Sequence, residues 1–234
     1  MKRYQIAAKA YLRLSRLTSS CRCFRCGDLL DSLGDGICRD CSYGLDYIVG
    51  DRCRLCGVQL ISELDVCLRC RDVDWGFDSV RGVFTYTGAA GELVRLYKLQ
   101  NHPRLARFFA GYLSPLLAEV PNDVPLVPVP PRPERLREYG WDQVARLTGA
   151  LKEQTGRPIA NVLRRTGGLS QKSLNLEGRR ENLVGKIILR GDVRHSRCIL
   201  VDDVMTTGAT LSVCATVLKA GGFRSVDAVV IAVD

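Results

Sequence analysis

Residues 198–210 read Cys-Ile-Leu-Val-Asp-Asp-Val-Met-Thr-Thr-Gly-Ala-Thr, and this stretch decides the fold. Its first four residues form an apolar run that predicts a buried strand. The pattern from Thr207 to Ala220 predicts a helix, which Gly221 and Gly222 would end. A second apolar strand is predicted at Val226–Val233. Strand, helix and strand in this order make a βαβ unit, so we predict an α/β fold with a mostly parallel sheet.

The same stretch predicts a binding site for a sugar phosphate. Backbone N–H groups at the start of a helix, with the helix dipole behind them, bind phosphate readily. The two carboxylates that end the strand would repel a phosphate but suit the hydroxyls of a ribose or a magnesium ion. A ribose 5-phosphate offers both chemistries. The predicted site residues are Asp202, Asp203, Thr206, Thr207, Gly208, Ala209 and Thr210.

Working outward from this stretch, residues 73–234 supply the other elements of a single α/β domain. Polar, arginine-rich residues 163–182 lack clear periodicity and are interpreted as a mobile loop. The predicted elements are a strand at Ser79–Tyr86, helices at Ala89–Leu99 and Leu105–Ala118, a strand at Leu126–Pro130 that ends in a proline-rich loop, and a helix at Glu134–Glu153.

Cysteines dominate the segment in front of this domain. Of the 11 cysteines in the 234 residues, nine lie between Cys21 and Cys70. Eight of them form four C-x-x-C pairs in two units about thirty residues apart, which predicts two copies of one structural element at 21–72. The pairs are Cys23 and Cys26, Cys38 and Cys41, Cys53 and Cys56, and Cys67 and Cys70.

These pairs are typical of zinc sites. Two C-x-x-C turns supply four thiolates, which suit tetrahedral zinc and leave no open position for a substrate, so we predict two structural zinc ions. Sequential pairing is favoured, with the first two pairs on one ion and the last two on the other. A cross-braced arrangement stays open. Cys21 is left over and could compete with Cys23, while Cys198 and Cys214 lie in apolar elements and are interpreted as core residues.

Charge and the N-terminal segment bear on partners and location. The formal net charge is +9, with a basic excess at residues 1–27 and between Arg132 and Arg180. Such an excess attracts polyanions, either nucleic acid or phosphorylated small molecules. Residues 1–20 predict a basic helix or tail, and they lack the apolar core of a secretory signal. With no run long enough to span a membrane, a cytoplasmic location is expected.

Taken together, these motifs resemble the ComF family, whose members join a double zinc ribbon to a type I phosphoribosyltransferase-like domain. The resemblance extends from about Cys23 to Asp234. Besides the cysteine repeat and the loop, it is carried by Val127-Pro-Val-Pro130, by Arg135-Leu-Arg-Glu-Tyr-Gly-Trp-Asp-Gln143, by Gln171, Leu174, Arg179, Arg180 and Asn182, and by Lys98. Asp142 is a departure, since the family commonly has Asn there.

The resemblance implies a doubly wound sheet and a set of roles for its matching residues. Asp202 and Asp203 would bind the ribose hydroxyls of phosphoribosyl pyrophosphate, and the loop at Thr206–Thr210 its 5-phosphate. Val129 and Pro130 would lie in the loop that receives the pyrophosphate with magnesium. Lys98, Arg135, Arg179 and Arg180 would bind the remaining phosphate charge.

Two functions are compatible with these residues. The chain could be a phosphoribosyltransferase with an unidentified acceptor, or it could bind the ligand without turnover as a nucleic-acid-binding or regulatory module. The ComF resemblance implies a part in DNA uptake or processing during natural competence under either interpretation. Single-stranded DNA and other competence proteins are the partners that this role implies.

Overall fold

The computed structural model describes residues 22–30, 36–62, 64–100, 102–166 and 185–234. The chain divides into two compact units, Met1–Leu45 and Asp46–Asp234, which are considered separately. The predicted helix or tail at residues 1–20 lies outside the described residues, as do Cys21, Arg179 and Arg180. The boundary at residues 72 and 73 stays a prediction, and the second cysteine copy shares the larger unit with the α/β elements.

The two cysteine copies have the same backbone design, so the predicted repeat is confirmed. In the first copy Arg22 bridges to Leu29, and the Gly27 N–H donates to the Cys23 carbonyl at 3.0 Å. In the second copy Arg52 bridges to Gln59, and the Gly57 N–H donates to the Cys53 carbonyl at 2.8 Å. Each copy then ends in a short helix, α1 at Arg39–Tyr43 and α2 at Leu68–Arg71.

The larger unit is built on a four-stranded sheet in the order β1-β6-β5-β2, and every pair in it is parallel. These strands are β1 at Ser79–Thr85, β2 at Leu126–Pro128, β5 at Arg197–Met205 and β6 at Ser225–Val233. The two central strands are almost continuously buried, as expected for a parallel sheet covered on both faces. A separate antiparallel pair joins β3, Leu163–Arg165, to β4, Ile187–Leu189.

Helices cover both faces of the sheet, which confirms the predicted doubly wound α/β fold. Three helices, α3 at Gly88–Leu99, α4 at Pro103–Leu113 and α6 at Gln143–Thr155, contact the sheet strands from one side. On the opposite side, α7 at Ala209–Ala220 packs with the second cysteine copy in one core. Cys198 and Leu200 of β5 belong to that core. Because side chains alternate along a strand, Asp202 lies towards α7 and Asp203 towards α3 and α6.

Three sequence predictions need correction. The helix predicted at Glu134–Glu153 is two helices, α5 at Pro133–Tyr139 and α6, because Gly140 is left-handed at φ 70° and Asp142 caps the next helix. The loop predicted at 163–182 begins with β3, and residues 167–184 lie outside the described part. The helix predicted at Leu105–Ala118 is α4 followed by a 3₁₀ turn at Ser114–Leu117. Within the described ranges, no helix has the length and apolar character needed to cross a membrane.

Candidate phosphate and metal sites

A cavity of about 150 Å³ lies where β2 and β5 end, at the carboxyl edge of the sheet. Parallel α/β folds place their ligands at this edge. The lining residues come from the loop after β2, from α5, α6 and the residues between them, from the ends of β3 and β5, and from the first turn of the helix at Ala209–Ala220. They are Val129, Pro130, Pro131, Arg132, Arg135, Leu136, Trp141, Gln143, Val144, Arg165, Asp202, Asp203, Val204 and Thr210.

Asp203 is the more buried of the two acids and is held by side chains from two helices. The Lys98 ammonium lies 3.1 Å from its Oδ1, and the two side chains are 17% and 9% exposed. Gln143 donates through Nε2 to its Oδ2 at 3.2 Å. Each carboxylate oxygen has a second lone pair, so Asp203 can still accept from a ligand. The structure therefore pairs Lys98 with Asp203 and does not include it in the cavity lining, and the phosphate-binding role that the resemblance implied for Lys98 stays a prediction.

Asp202 has a different environment on the other face of the strand. Its Oδ1 accepts from the backbone N–H of Asp203 at 2.8 Å. Burial, followed by the neighbouring Asp203 carboxylate, raises the pKa of Asp202 to about 8, against the opposing effects of that N–H and of Lys98. A carboxyl group with such a pKa changes its charge near neutral pH, and a bound cation would favour its ionised form.

Three arginines bring positive charge to the cavity. Arg132 and Arg135 flank the start of α5, and Arg165 ends β3. Burial, followed by the like charge of Arg132, lowers the pKa of the Arg165 guanidinium. Cations held near one another in this way favour an anionic ligand that would relieve their repulsion. Sequence reasoning missed Arg165, because it placed this residue in a loop without periodicity.

The predicted phosphate loop connects the acid pair to α7. Gly208 precedes the helix in the left-handed region at φ 77°, and a Cβ added there would lie 2.7 Å from Cζ3 of Trp75. Both conditions require glycine. Of the five predicted loop residues only Thr210 lines the cavity. Thr206, Thr207 and Gly208 form the turn that leads to it, and Ala209 begins the helix.

Asp142 caps α6 and thereby fixes the side of the cavity that Gln143 and Val144 form. Its Oδ1 accepts from the N–H groups of Val144 at 2.9 Å and Ala145 at 3.1 Å. Burial raises the pKa of Asp142, its two backbone donors oppose this, and the charge of Asp203 adds to it. Asparagine caps helices equally well. The departure from the ComF pattern at this position therefore preserves the cap and changes only the charge.

The eight predicted cysteine ligands form two groups of four. One contains Cys23, Cys26, Cys38 and Cys41, the other Cys53, Cys56, Cys67 and Cys70, and within each group the sulfurs lie within 4.8 Å of one another. This is the sequential arrangement and not the cross-braced one. Four thiols so close together, with a backbone turn behind each pair, have the composition and spacing of a structural zinc site. Both groups could hold zinc.

Backbone donors in each copy favour the thiolate form of its first cysteine. Burial raises the pKa of Cys53, but N–H groups of Cys56, Cys67 and Leu55 outweigh it and lower the pKa to about 7. The same balance in the first copy lowers the pKa of Cys23 to about 6. Metal binding requires deprotonated sulfur, so the lowered pKa values of Cys23 and Cys53 favour metal binding by the first cysteine of each copy. Cys198 and Cys214 are fully buried in the α/β core, as predicted.

The fold and the cavity define a class of protein. A doubly wound parallel sheet, an acid pair at a strand end and a glycine-containing turn into a helix agree with the type I phosphoribosyltransferase-like fold that the resemblance implied. Among solved structures, adenine phosphoribosyl transferase from Trypanosoma brucei is similar at a TM-score of 0.38 and 14% identity, over 59% of this chain and 68% of that one. Orotate phosphoribosyltransferase from Mycobacterium tuberculosis is similar at a TM-score of 0.32 and 20% identity, over 61% and 76%. These likenesses are low, and the fold class rests on the parallel sheet and the helices that cover it.

Curated relatives are more specific. The chain is 25% identical over 215 residues to competence protein ComFC of Streptococcus pneumoniae, covering 92% of this chain and 89% of the relative. It is 26% identical to competence protein F of Haemophilus influenzae, over 88% and 93%, and 28% identical to ComFC of Bacillus subtilis, over 80% and 79%. No family model matches the chain. These relatives confirm the predicted resemblance to the ComF family across nearly the whole sequence.

Proposed function

We propose that the cavity binds phosphoribosyl pyrophosphate together with magnesium. One observation carries the proposal: an acid pair, a helix-opening hydroxyl and three arginines converge on a single cavity at the carboxyl edge of a parallel sheet. Acids suit a sugar diol or a metal ion, and arginines suit phosphate oxygens. A ligand that needs both within a few ångströms is a phosphorylated sugar carrying a second phosphate group.

Each group has a role in this proposal. Asp202 accepts from the ribose hydroxyls, and Asp203, held by Lys98 and Gln143, orients its neighbour and adds an acceptor. The turn at Thr206–Thr210 and the first N–H groups of α7 bind the 5-phosphate. The loop containing Val129 and Pro130 receives the pyrophosphate. The negative charge of the pyrophosphate is offset by Arg132, Arg135 and Arg165. Arg179 and Arg180 stay predicted as further residues that bind this charge.

A transferase function follows from the chemistry of this ligand. The bond between C1 of the ribose and the pyrophosphate oxygen breaks, a nucleophile bonds to C1, and pyrophosphate leaves with the electron pair. Positive charge that develops on the sugar is stabilised by the nearby carboxylates, and the arginines stabilise the leaving group. Magnesium, when bound, supplies further charge to the pyrophosphate. The acceptor is a nitrogen nucleophile that would enter beside Trp141, the aromatic residue of the cavity.

A second candidate is a ligand-binding module without turnover. Both oxygens of Asp203 are already engaged inside the protein, and Pro131 and Pro133 flank Arg132 in the loop proposed for pyrophosphate. Proline fixes φ, so this loop has less freedom to follow a leaving group. The protein would then act by binding its ligand in this cavity, without converting it.

The competence relatives support a cellular role under either candidate. Proteins named for competence in three bacteria are similar to most of this chain. We therefore propose a role in DNA uptake or processing during natural competence, in the cytoplasm, with single-stranded DNA and other competence proteins as partners. The net charge of +9 suits a polyanion, and binding to it should weaken steeply with salt.

Calorimetry with phosphoribosyl pyrophosphate and magnesium tests the binding proposal. We expect Asp202→Asn to weaken binding at least about tenfold, the cost of one lost charge-assisted contact. Asp192→Asn, which changes an exposed acid that does not line the cavity, is the matched control and should bind like the wild type. Binding that is absent from the wild type, or equal in both variants, would contradict the proposal.

Turnover distinguishes the two candidates. Release of pyrophosphate in the presence of a panel of nucleobases and amines supports the transferase. Tight ligand binding without release under every acceptor supports the binding module. Single-stranded DNA affinity, measured from 50 to 200 mM salt, tests the polyanion partner separately, and a salt-independent affinity would reject it.

A further inference from the structure

The second cysteine cluster, Cys53, Cys56, Cys67 and Cys70, touches the phosphate loop through one tryptophan. Trp75 donates through its indole N–H to the sulfur of Cys70 at 3.2 Å. The ring of the same tryptophan lies against Gly208, where an added Cβ would come within 2.7 Å of it. One buried side chain, only 7% exposed, therefore contacts a cluster sulfur at one end and the phosphate loop at the other.

Arg69 makes a second connection. It belongs to α2, between the cluster residues Cys67 and Cys70. Its guanidinium donates to the backbone carbonyl of Thr206 at 3.0 Å, and also to that of Asp234 at 3.4 Å. Thr206 is the first residue of the phosphate loop. The helix that contains Cys70, and that Cys67 precedes, thus holds the loop backbone directly.

Gly76, the residue after Trp75, packs against α7. The Gly76 N–H donates to the Ser212 hydroxyl at 3.1 Å, and a Cβ at Gly76 would lie 2.4 Å from the Ser212 carbonyl oxygen. Only glycine allows the chain after the cluster to pack so closely on this helix. α7 is the helix that the phosphate loop opens. Residues beside the cluster therefore contact both the loop, through Arg69 and Trp75, and the helix that follows it, through Gly76.

The first cysteine copy is a natural comparison, because it has the same backbone design. A Cβ at its turn glycine, Gly27, would meet nothing within 4 Å, whereas one at the equivalent Gly57 would lie 2.5 Å from the Val80 carbonyl oxygen of β1. The first copy also belongs to the other compact unit. Cys26 is exposed, whereas every cysteine of the second cluster is buried.

We propose that metal binding at the second cluster and ligand binding at the phosphate loop are thermodynamically coupled, with Arg69 and Trp75 as the positioning residues. Four sulfurs held on a metal would fix α2 and Cys70, and these fix the two side chains that support Thr206 and Gly208. A loop that is already ordered pays less entropy when its ligand binds. By reciprocity, the ligand raises metal affinity by the same factor as the metal raises ligand affinity.

Zinc competition in two variants of the full chain tests the coupling. Cys41→Ser damages only the first cluster, and Cys70→Ser damages only the second. In the Cys41→Ser chain, phosphoribosyl pyrophosphate with magnesium should raise zinc affinity about tenfold, within the range usual for coupled sites. In the Cys70→Ser chain it should leave zinc affinity unchanged, which also corrects for zinc bound by the ligand itself. An equal change in both chains, or none in either while the ligand binds, would overturn the inference.

This test rests on the proposed function, so a second measurement is independent of the ligand. Amide exchange at residues 206–210, without ligand, should become about tenfold faster in zinc-loaded Arg69→Ala than in Arg71→Ala, which removes an exposed arginine from the same helix. Equal exchange in these two variants would overturn the coupling. Absence of ligand binding in the wild type, with loop protection still dependent on Arg69, would instead reject the proposed ligand and leave the support of the loop established.

Discussion

Lys98 offers the sharpest test of the electrostatics of the site. Replacing it by Met keeps most of the side-chain length but leaves Asp203 without its cation, although Gln143 still donates to it. Removing one partner of a buried ion pair costs about 3–5 kcal/mol. The two side chains are 17% and 9% exposed, and an amide donor to Asp203 remains. We therefore expect Lys98→Met to lower the free energy of unfolding by about 3 kcal/mol. For a unit of this size such a loss corresponds to a decrease in Tm of roughly 6–12 °C.

Urea denaturation of three variants measures this energy. Lys219→Met is the matched control, because Lys219 pairs with Asp78 at 2.6 Å but with side chains 33% and 42% exposed, and it should cost less than about 1 kcal/mol. Lys98→Met combined with Asp203→Asn removes both charges and should recover at least about 1 kcal/mol. If Lys98→Met costs no more than the control, or if the double variant recovers nothing, Asp203 is not held as a buried charge.

Three further predictions concern the acids and the glycine of the site. The folded-state pKa of Asp202, about 8, lies above its unfolded value near 4, so the carboxyl stabilises the fold only while protonated. That contribution is complete below about pH 4 and is lost as pH rises through 8. Stability in urea should therefore fall between pH 5 and pH 9, and Asp202→Asn should flatten the decrease. Asp142→Asn keeps the helix cap and removes a charge near Asp203, so its stability should equal or exceed the wild type, whereas Asp142→Ala should lose about 1 kcal/mol; equal values for the two would contradict the capping role. Gly208→Ala should lose at least about 1 kcal/mol and weaken ligand binding, because of its positive φ and the contact with Trp75. Gly149→Ala, inside α6 with open space around it, should instead gain about 0.5–1 kcal/mol in the same assay.

The elements with strong local signals could be predicted from the sequence. The apolar run before Asp202 and the paired glycines after Ala220 identified the strand and helix of the βαβ unit, and C-x-x-C spacing identified both cysteine clusters. The prediction of helix ends was weaker where helical apolar spacing continues across a residue that ends the helix. The helix predicted across Glu134–Glu153 ends at Gly140, although this glycine and the capping Asp142 were both visible in the sequence.

Long-range contacts were not available from local patterns. Arg165 ends a strand of three residues, too short to show a period, and it reaches the cavity only because β3 pairs with β4. No local pattern singles out Trp75, because its contact with Gly208 crosses more than a hundred positions. Lys98 was placed in the site by family resemblance alone, since no spacing rule joins it to Asp203.

The two adjacent acids show how a strand places sequence neighbours in different surroundings. Because they project to opposite faces, the surroundings of Asp202 are set by the layer formed by α7 and the second cysteine copy. Those of Asp203 are set by the layer formed by α3 and α6. Neither can substitute for the other, although they are chemically identical. Inserting or deleting a single residue upstream in β5 would exchange their surroundings, so evolution can vary the composition of this strand far more freely than the parity of its length.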